Sequence, residues 1–185
     1  VSDQVRVEST AGLYVYGGGA DDASAQIGHG GQNVAGNLNG RIYTAAEGDL
    51  LVQGGTGARA FAQIGLGGHD DVAGVGNVEG DKNGMIVVFS RLGDIGVVGG
   101  ATAGAYGQVG HGGLNNDGNF LHEDLGLFVQ AGWNTTPVAG PPAGDLTLTS
   151  NTGYGMVGSG DAVPSGTGDR IGLVFTNSTG NTYDS

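Results

Sequence analysis

The sequence predicts an all-β protein, a parallel β-solenoid with three short strands per coil and about four coils. The first observation is a phrase at 25–31, Ala-Gln-Ile-Gly-His-Gly-Gly, that returns at 62–68 and 107–113 and, weakened, at 155–161. Its first three glutamines are 37 and 45 residues apart, a spacing typical of repeat architectures. The second observation is composition: Gly occupies 42 of 185 positions and Pro only 4, which favours many tight corners.

The recurring phrase is strand type A. If successive coils stack ~4.8 Å apart, equivalent residues form columns along one axis. We expect Ala25 and Ile27 to point inward. The inward aliphatic column of type A is Ile27, Ile64, Val109 and Val157.

Strand types B and C complete each coil. Type C alternates aliphatic with variable residues, the period of a strand with one buried face. Its copies begin at Leu13, Leu50, Ile95 and Leu146, and an aspartate at 49, 94 and 145 forms the preceding corner. Type B is expected at 5–7, 42–44, 86–89, 125–129 and 170–175. In the first three copies the distance from B to C is 8 residues and that from C to A is 14, which predicts a fixed register; the fourth C-to-A distance, from Leu146 to Val157, is three residues shorter.

Insertions are expected at the corners, where a solenoid tolerates them. Loops between A and B are predicted at 32–39, 69–81, 114–123 and 161–168. One long B-to-C loop, 130–144, contains Trp133 and three of the four prolines. Residues 1–185 are expected to form a single segment, uncapped at both ends, whose open edges would stack on copies of themselves.

The Gln-Ile-Gly phrase, followed by Asn-, Gly- and Asp-rich residues and an aliphatic strand, resembles repeats of very large secreted bacterial exoproteins. These are the filamentous-haemagglutinin-like and autotransporter-type adhesins. The resemblance covers most of the chain and implies a right-handed β-helix stalk with attachment or matrix roles. It supplies no catalytic residue. An extracellular or cell-surface location is therefore expected.

Charge argues against several partners. There are 18 acidic and 6 basic residues, for a formal net charge of −12. With one lysine, Lys82, no basic groove for nucleic acid is expected, and no apolar run approaches the ~18 residues that span a bilayer. Cysteine is absent, which excludes disulfides and cysteine-based metal sites.

The candidate binding residues lie on strand type A and the long loop. Stacked Gln26, Gln63 and Gln108 can bond amide to amide along the axis. An aromatic column lies beside them. One interpretation is that both columns are purely structural, and the other is that they form a flat strip that binds a glycan or protein partner. The candidate partner-binding residues are Trp133, Phe61, Tyr106, Tyr154, Gln26, Gln63 and Gln108.

No catalytic, cofactor or metal residue is predicted. His29 and His111 share a repeat position that Leu66 interrupts, so a packed or polar corner is expected rather than a metal site. Acidic loops at 21–22, 70–71 and 115–118 could hold Ca²⁺, but none has EF-hand spacing, and turn residues are the simpler interpretation. Nucleophile and nucleotide motifs are missing, and scarce Arg and Lys disfavour a polysaccharide lyase.

The sequence therefore predicts a non-enzymatic, structural or adhesive solenoid segment that forms a stiff rod or fibre and displays loops. One alternative is a glycan- or protein-binding module that uses the Trp133 loop or the strand-A strip. Another is the subunit of a self-stacking extracellular filament.

Overall fold

The computed structural model describes residues 4–34, 36–69, 80–102, 104–114, 120–121, 127–131, 146–149, 155–158, 160–161, 174–176 and 182–184. All regular structure in these ranges is β, and none of their residues is helical. The strands, in chain order, are β1 (Gln4–Ser9), β2 (Leu13–Tyr16), β3 (Ala25–Gln32), β4 (Leu38–Asn39), β5 (Arg41–Ala46), β6 (Leu50–Gln53), β7 (Ala62–His69), β8 (Lys82–Asn83), β9 (Ile86–Ser90), β10 (Ile95–Val98), β11 (Gly107–Val109), β12 (Gly112–Gly113), β13 (Phe120–Leu121), β14 (Leu127–Gln130), β15 (Leu146–Thr149), β16 (Gly155–Val157), β17 (Gly160–Asp161), β18 (Val174–Thr176) and β19 (Thr182–Asp184).

Three parallel sheets correspond to the three predicted strand types. The B sheet has the order β1-β5-β9-β14, and the C sheet has the order β2-β6-β10-β15. In the A sheet β3 pairs with β7, which pairs with β11 and β12, and these continue to β16 and β17. The chain visits B, C and A in turn and returns to the next position in each sheet. Pairing of like with like is thus confirmed.

A fourth parallel sheet was not predicted. It joins β4, β8 and β13, two-residue strands in or beside segments that the sequence assigned to A-to-B loops. Three strands per repeat was therefore an undercount. A two-residue strand is too short to show the alternation on which the prediction depended.

The register places equivalent aliphatic residues in single file. Ile27 pairs with Ile64, Ile64 with Val109, and Val109 with Val157. The C sheet stacks in the same way, and its inward residues are buried in alternation. Inner faces of the A, B and C sheets meet in one cluster. Its fully buried large aliphatic residues are Ile42, Leu50, Ile64, Leu66, Ile86 and Ile95. Ala25 and Ile27 pack against that cluster, as expected.

The last predicted B strand pairs differently from the others. Its described part, β18, is antiparallel to β19 rather than added to the B sheet through a parallel ladder. The alternation at 170–175 indicated a strand but held no information on its partner, which lies only a short distance further along the chain. Of the other predicted features, the loop at 130–144 lies almost wholly outside the described residues, which include only Gln130 and Ala131 of it.

Candidate functional site

The glutamine column forms a continuous chain of side-chain hydrogen bonds across the described A sheet. Gln26 Nε2 donates to Gln63 Oε1 at 3.1 Å, and Gln63 Nε2 donates to Gln108 Oε1 at 3.3 Å. The predicted amide-to-amide ladder is confirmed. Each amide therefore links one repeat to the next, always in the direction of the C-terminus.

Each amide also binds backbone carbonyls of the following repeat. Gln63 Nε2 lies 3.0 Å from Gly110 O and 2.8 Å from Gly112 O. Gln26 Nε2 is placed equivalently, 3.1 Å from Gly65 O and 2.9 Å from Gly67 O. Two amide hydrogens thus serve several acceptors, and this explains why the phrase combines Gln with Gly-x-Gly.

Local geometry makes room for the amides. Glycines two and four residues after each Gln project no side chain on the face where the Gln lies. Gly67 has φ of +113° and Gly112 has φ of +104°, a conformation that side chains with Cβ rarely adopt. These glycines therefore leave space for the Gln amides and adopt backbone angles that other residues would disfavour.

Burial decides what the column can contact. Gln63 and Gln108 are 0% exposed, whereas Gln26 is half-buried. A buried amide with satisfied hydrogen bonds stabilises the fold but offers no surface to a glycan. The expectation of a flat, exposed strip is therefore not met by Gln63 and Gln108.

The aromatic column is also internal. Phe61 and Tyr106 stack with ring centroids 5.0 Å apart and planes 1° from parallel. Both are buried, with Leu114 packed against them. They too present no surface to a partner. Tyr154 and Trp133, the other candidates, lie outside the described residues.

The histidines divide by environment. His111 is buried; its Nδ1 accepts the Leu66 N–H at 3.2 Å, so the ring proton sits on Nε2, which donates to Gly84 O at 3.0 Å. His29 is exposed, and Leu66 belongs to the core. His111 is therefore a buried, hydrogen-bonded histidine that packs inside the fold, as expected. Across the described ranges, no three His, Asp or Glu side chains are grouped to hold a metal ion.

The acidic pair at 21–22 forms a corner. Asp22 accepts hydrogen bonds from Arg59 at 2.6 and 2.8 Å and from Gln32 at 3.0 Å. The Arg59 hydrogen bond, foremost, lowers the pKa of the Asp22 carboxyl. Asp21 accepts the Ala58 N–H at 2.8 Å. Both carboxylates therefore link neighbouring repeats, and the loops at 70–71 and 115–118 lie outside the described residues.

Two exposed tyrosines form a surface that the sequence analysis missed. Tyr14 and Tyr16 are 54% and 51% exposed, and their rings are stacked with centroids 6.0 Å apart and planes 3° from parallel. They occupy the outward positions of β2 and alternate with the inward Leu13 and Val15. The available signal was the Tyr-x-Tyr spacing, which puts both rings on one face of a strand.

Comparisons with known proteins identify no relative: no family model, curated protein or solved structure matches this chain. Within the described ranges there is no helix long and apolar enough to cross a membrane.

Proposed function

We propose that this chain is a right-handed parallel β-solenoid of about four coils with a structural role in a bacterial protein that is secreted or held at the cell surface. The observation that carries the proposal is the register, in which Ile27, Ile64, Val109 and Val157 stand in one file. Coils stacked in this way add ~4.8 Å each along an axis. The product is a rod segment that displays loops at its corners.

Stiffness follows from three kinds of contact repeated at every step. Parallel backbone ladders join consecutive repeats in four sheets. An aliphatic core runs through the interior, and the glutamine amides add hydrogen bonds between repeats where they are shielded from water. Close-packed interiors resist deformation. These contacts support a non-enzymatic, mechanical role, consistent with the resemblance to exoprotein stalks.

The charge balance supports the same setting. The described ion pairs include Arg6–Glu8, Arg59–Asp22 and Arg91–Glu47. With 18 acidic residues against 6 basic ones, pairing still leaves a large negative surplus for the surface. Such a surface favours solubility and repels phosphate backbones. We therefore propose neither a nucleic-acid partner nor membrane insertion.

Pulling a single molecule from its two ends tests the mechanical role. A solenoid that resists force should release its coils in steps. Repeats of 37 and 45 residues would lengthen the chain by about 13 and 16 nm at ~3.6 Å per residue. One release of the whole chain, or no resistance above that of an unfolded polypeptide, would count against the proposal.

A second candidate function is carbohydrate binding by the Tyr14–Tyr16 surface. Parallel, solvent-facing rings suit the apolar faces of sugars, and each ring also carries a hydroxyl for hydrogen bonding. This surface replaces the strand-A strip, in which Phe61, Tyr106, Gln63 and Gln108 are buried and Gln26 alone of the described candidates is half-buried. The Trp133 loop remains the other proposed location.

A glycan array with four chains separates these locations. We expect binding by the unmodified chain to be lost in the Tyr14→Ala/Tyr16→Ala variant and kept in Leu92→Ala, which alters another exposed apolar side chain (64%). Loss in Trp133→Ala alone would assign binding to the long loop. No binding by the unmodified chain would remove the candidate.

A further inference from the structure

We propose that the N-terminal face, defined as the edges of β1, β2 and β3 that face away from β5, β6 and β7, is a docking surface for a glutamine-bearing coil built from the same repeat. Among the described strands, each of these three pairs on one side only, with β5, β6 and β7 respectively. The inference rests on the solenoid proposed above and adds the chemistry that its N-terminal end recognises.

The glutamine column has a direction, and the direction predicts the partner. Gln63 Oε1 accepts from the glutamine before it, and the carbonyls of Gly65 and Gly67 accept from that same amide. The equivalents in β3, by register, are Gln26 Oε1 and the carbonyls of Gly28 and Gly30. Within the described part of the chain, no donor is placed on Gln26 Oε1. The N-terminal face therefore presents an acceptor set shaped for one primary amide.

Strand geometry places this acceptor set on the open edge. Ala25 N–H donates to the carbonyl of Phe61, the residue that precedes β7, and backbone groups of successive residues in a strand alternate between its two edges. The carbonyls of residues 26, 28 and 30 therefore point away from β7. An added parallel strand would pair with them and complete the ladder.

Apolar side chains on this face are also more exposed than their counterparts in the next repeat. Val5, Leu13 and Ile27 are only partly buried, although they pack against the core cluster. Their register partners in the next repeat, Ile42, Leu50 and Ile64, are at most 1% exposed. A further coil would cover the three exposed side chains as the second coil covers their partners. Open edges of this kind are sites for strand addition.

The last A strand among the described residues that aligns with the glutamines, β16, does not supply the required amide. Met156 stands in register with Gln108, and a thioether has no N–H to donate. Stacking of one copy's C-terminal coil on another copy's N-terminal face would leave the Gln26, Gly28 and Gly30 acceptors without their donor. The docking partner is therefore a coil that carries Gln, rather than Met, at this position.

A tandem duplication tests the complementarity with the full chain. Gln4 pairs with Arg41, so a second copy of residues 4–40 placed before residue 4 supplies a coil in register. We expect the amides of the original Gln26 and Gly28 to exchange at least about tenfold more slowly. Gln26→Met in the added copy should lower the equilibrium constant for docking of that coil at least about tenfold, the effect of a lost set of buried hydrogen bonds.

The matched control is Gln4→Met in the added copy, because Gln4 is exposed; it should behave as the unmodified tandem chain does. Equal protection by the Gln and Met coils would overturn the proposal. So would unchanged exchange at Gln26 and Gly28 while β6 and β10 stay protected. Free exchange in β6 and β10 as well would instead refute the solenoid, and the docking surface with it.

Discussion

The side-chain amide of Gln63 joins two repeats through hydrogen bonds that an apolar residue of similar length would abolish. It donates to Gln108 Oε1 and to the carbonyls of Gly110 and Gly112 from a fully buried position. A buried carbonyl left without a donor costs about 1–3 kcal/mol. The glutamines of the column thus contribute to stability mainly by donating hydrogen bonds to buried carbonyl groups.

Gln63→Met should therefore lower the free energy of unfolding by about 2–4 kcal/mol, measured by urea denaturation. Met has a similar length, and the chain itself uses it at the equivalent position, Met156. The control is Gln53→Met, in a half-buried glutamine of β6 outside the column, with an expected change within ~0.5 kcal/mol. Equal effects of the two substitutions would show that the column adds nothing.

Thr44 offers the opposite case, a buried polar group whose removal should stabilise the chain. Its side chain is 0% exposed, its hydroxyl has no hydrogen-bond partner among the described residues, and its register neighbours are Val7 and Val88. Thr44→Val should raise the free energy of unfolding by about 1 kcal/mol, since it removes the unsatisfied hydroxyl at nearly constant volume. Thr147→Val, at an exposed site of β15, is the control. A destabilised Thr44→Val chain would contradict this account.

The ion pair of Asp22 and Arg59 predicts a pH dependence. Because the hydrogen bond from Arg59 lowers the pKa of Asp22 in the folded state, the carboxylate stabilises the fold above its unfolded pKa of about 3.9. That contribution is lost as pH falls below this value and through the depressed folded pKa. Between pH 6 and pH 2, Asp22→Asn should therefore lose less stability than the unmodified chain. The two partners are partly exposed, so the effect is small.

Denaturation midpoints at several pH values measure this difference. Arg59→Gln supplies the control: when the guanidinium is absent, adding Asp22→Asn should change the acid dependence less than it does in the unmodified chain. An undiminished change would mean that another group is responsible.

At the scale of strands, the sequence predicted the features that periodicity reveals, namely strand positions and their register. Aliphatic alternation located the C strands, and constant spacing from Leu50 to Ile64 implied the register that the structure confirms. Two-residue strands such as β4 carry no period and were missed. The antiparallel partner of β18 was missed because alternation identifies a strand without identifying its neighbour.

The candidate site was predicted less completely than the strands. The amide ladder of Gln26, Gln63 and Gln108 followed from spacing alone, but its burial did not. The positions of the Gly65 and Gly67 carbonyl acceptors depend on backbone angles. A glycine in the sequence permits these angles but does not specify them. Exposure of Tyr14 follows from its place on an edge strand, which a repeat pattern cannot distinguish from a central one.

The A strands also depend on glycine for their spacing. A Cβ atom at Gly65 would overlap the carbonyl oxygen of Gly110 in the neighbouring strand. Gly65→Ala should therefore force the A strands apart and cost about 2–4 kcal/mol of unfolding free energy, measured by thermal or urea denaturation. Gly19→Ala is the control, since its Cβ would meet Thr56 Oγ1 at an ordinary 3.6 Å. Equal tolerance of both substitutions would argue against the close approach of these strands.

At the scale of the whole molecule, the described repeats are not equally protected against local unfolding. Each of β5, β6 and β7 lies between two neighbours, whereas β1, β2 and β3 have one described neighbour each. Stability in a stacked repeat protein is roughly a sum over nearest-neighbour interfaces. The first repeat is thus expected to open before the second, without unfolding of the rest.

Residue-resolved hydrogen exchange by NMR tests this gradient within one sheet. Leu13 N–H donates to Asp49 O, so the amides of Tyr14 and Tyr16 point to the open edge of β2, whereas those of their register partners Leu51 and Gln53 point towards β2. We expect the Leu51 and Gln53 amides to exchange at least about tenfold more slowly, because their release requires the first repeat to leave the second. Equal rates at the two pairs would mean either that the first repeat opens only with the whole chain or that its edge is already covered. Sedimentation of the same sample separates these two cases, since only a covered edge requires a second polypeptide and the larger mass that it brings.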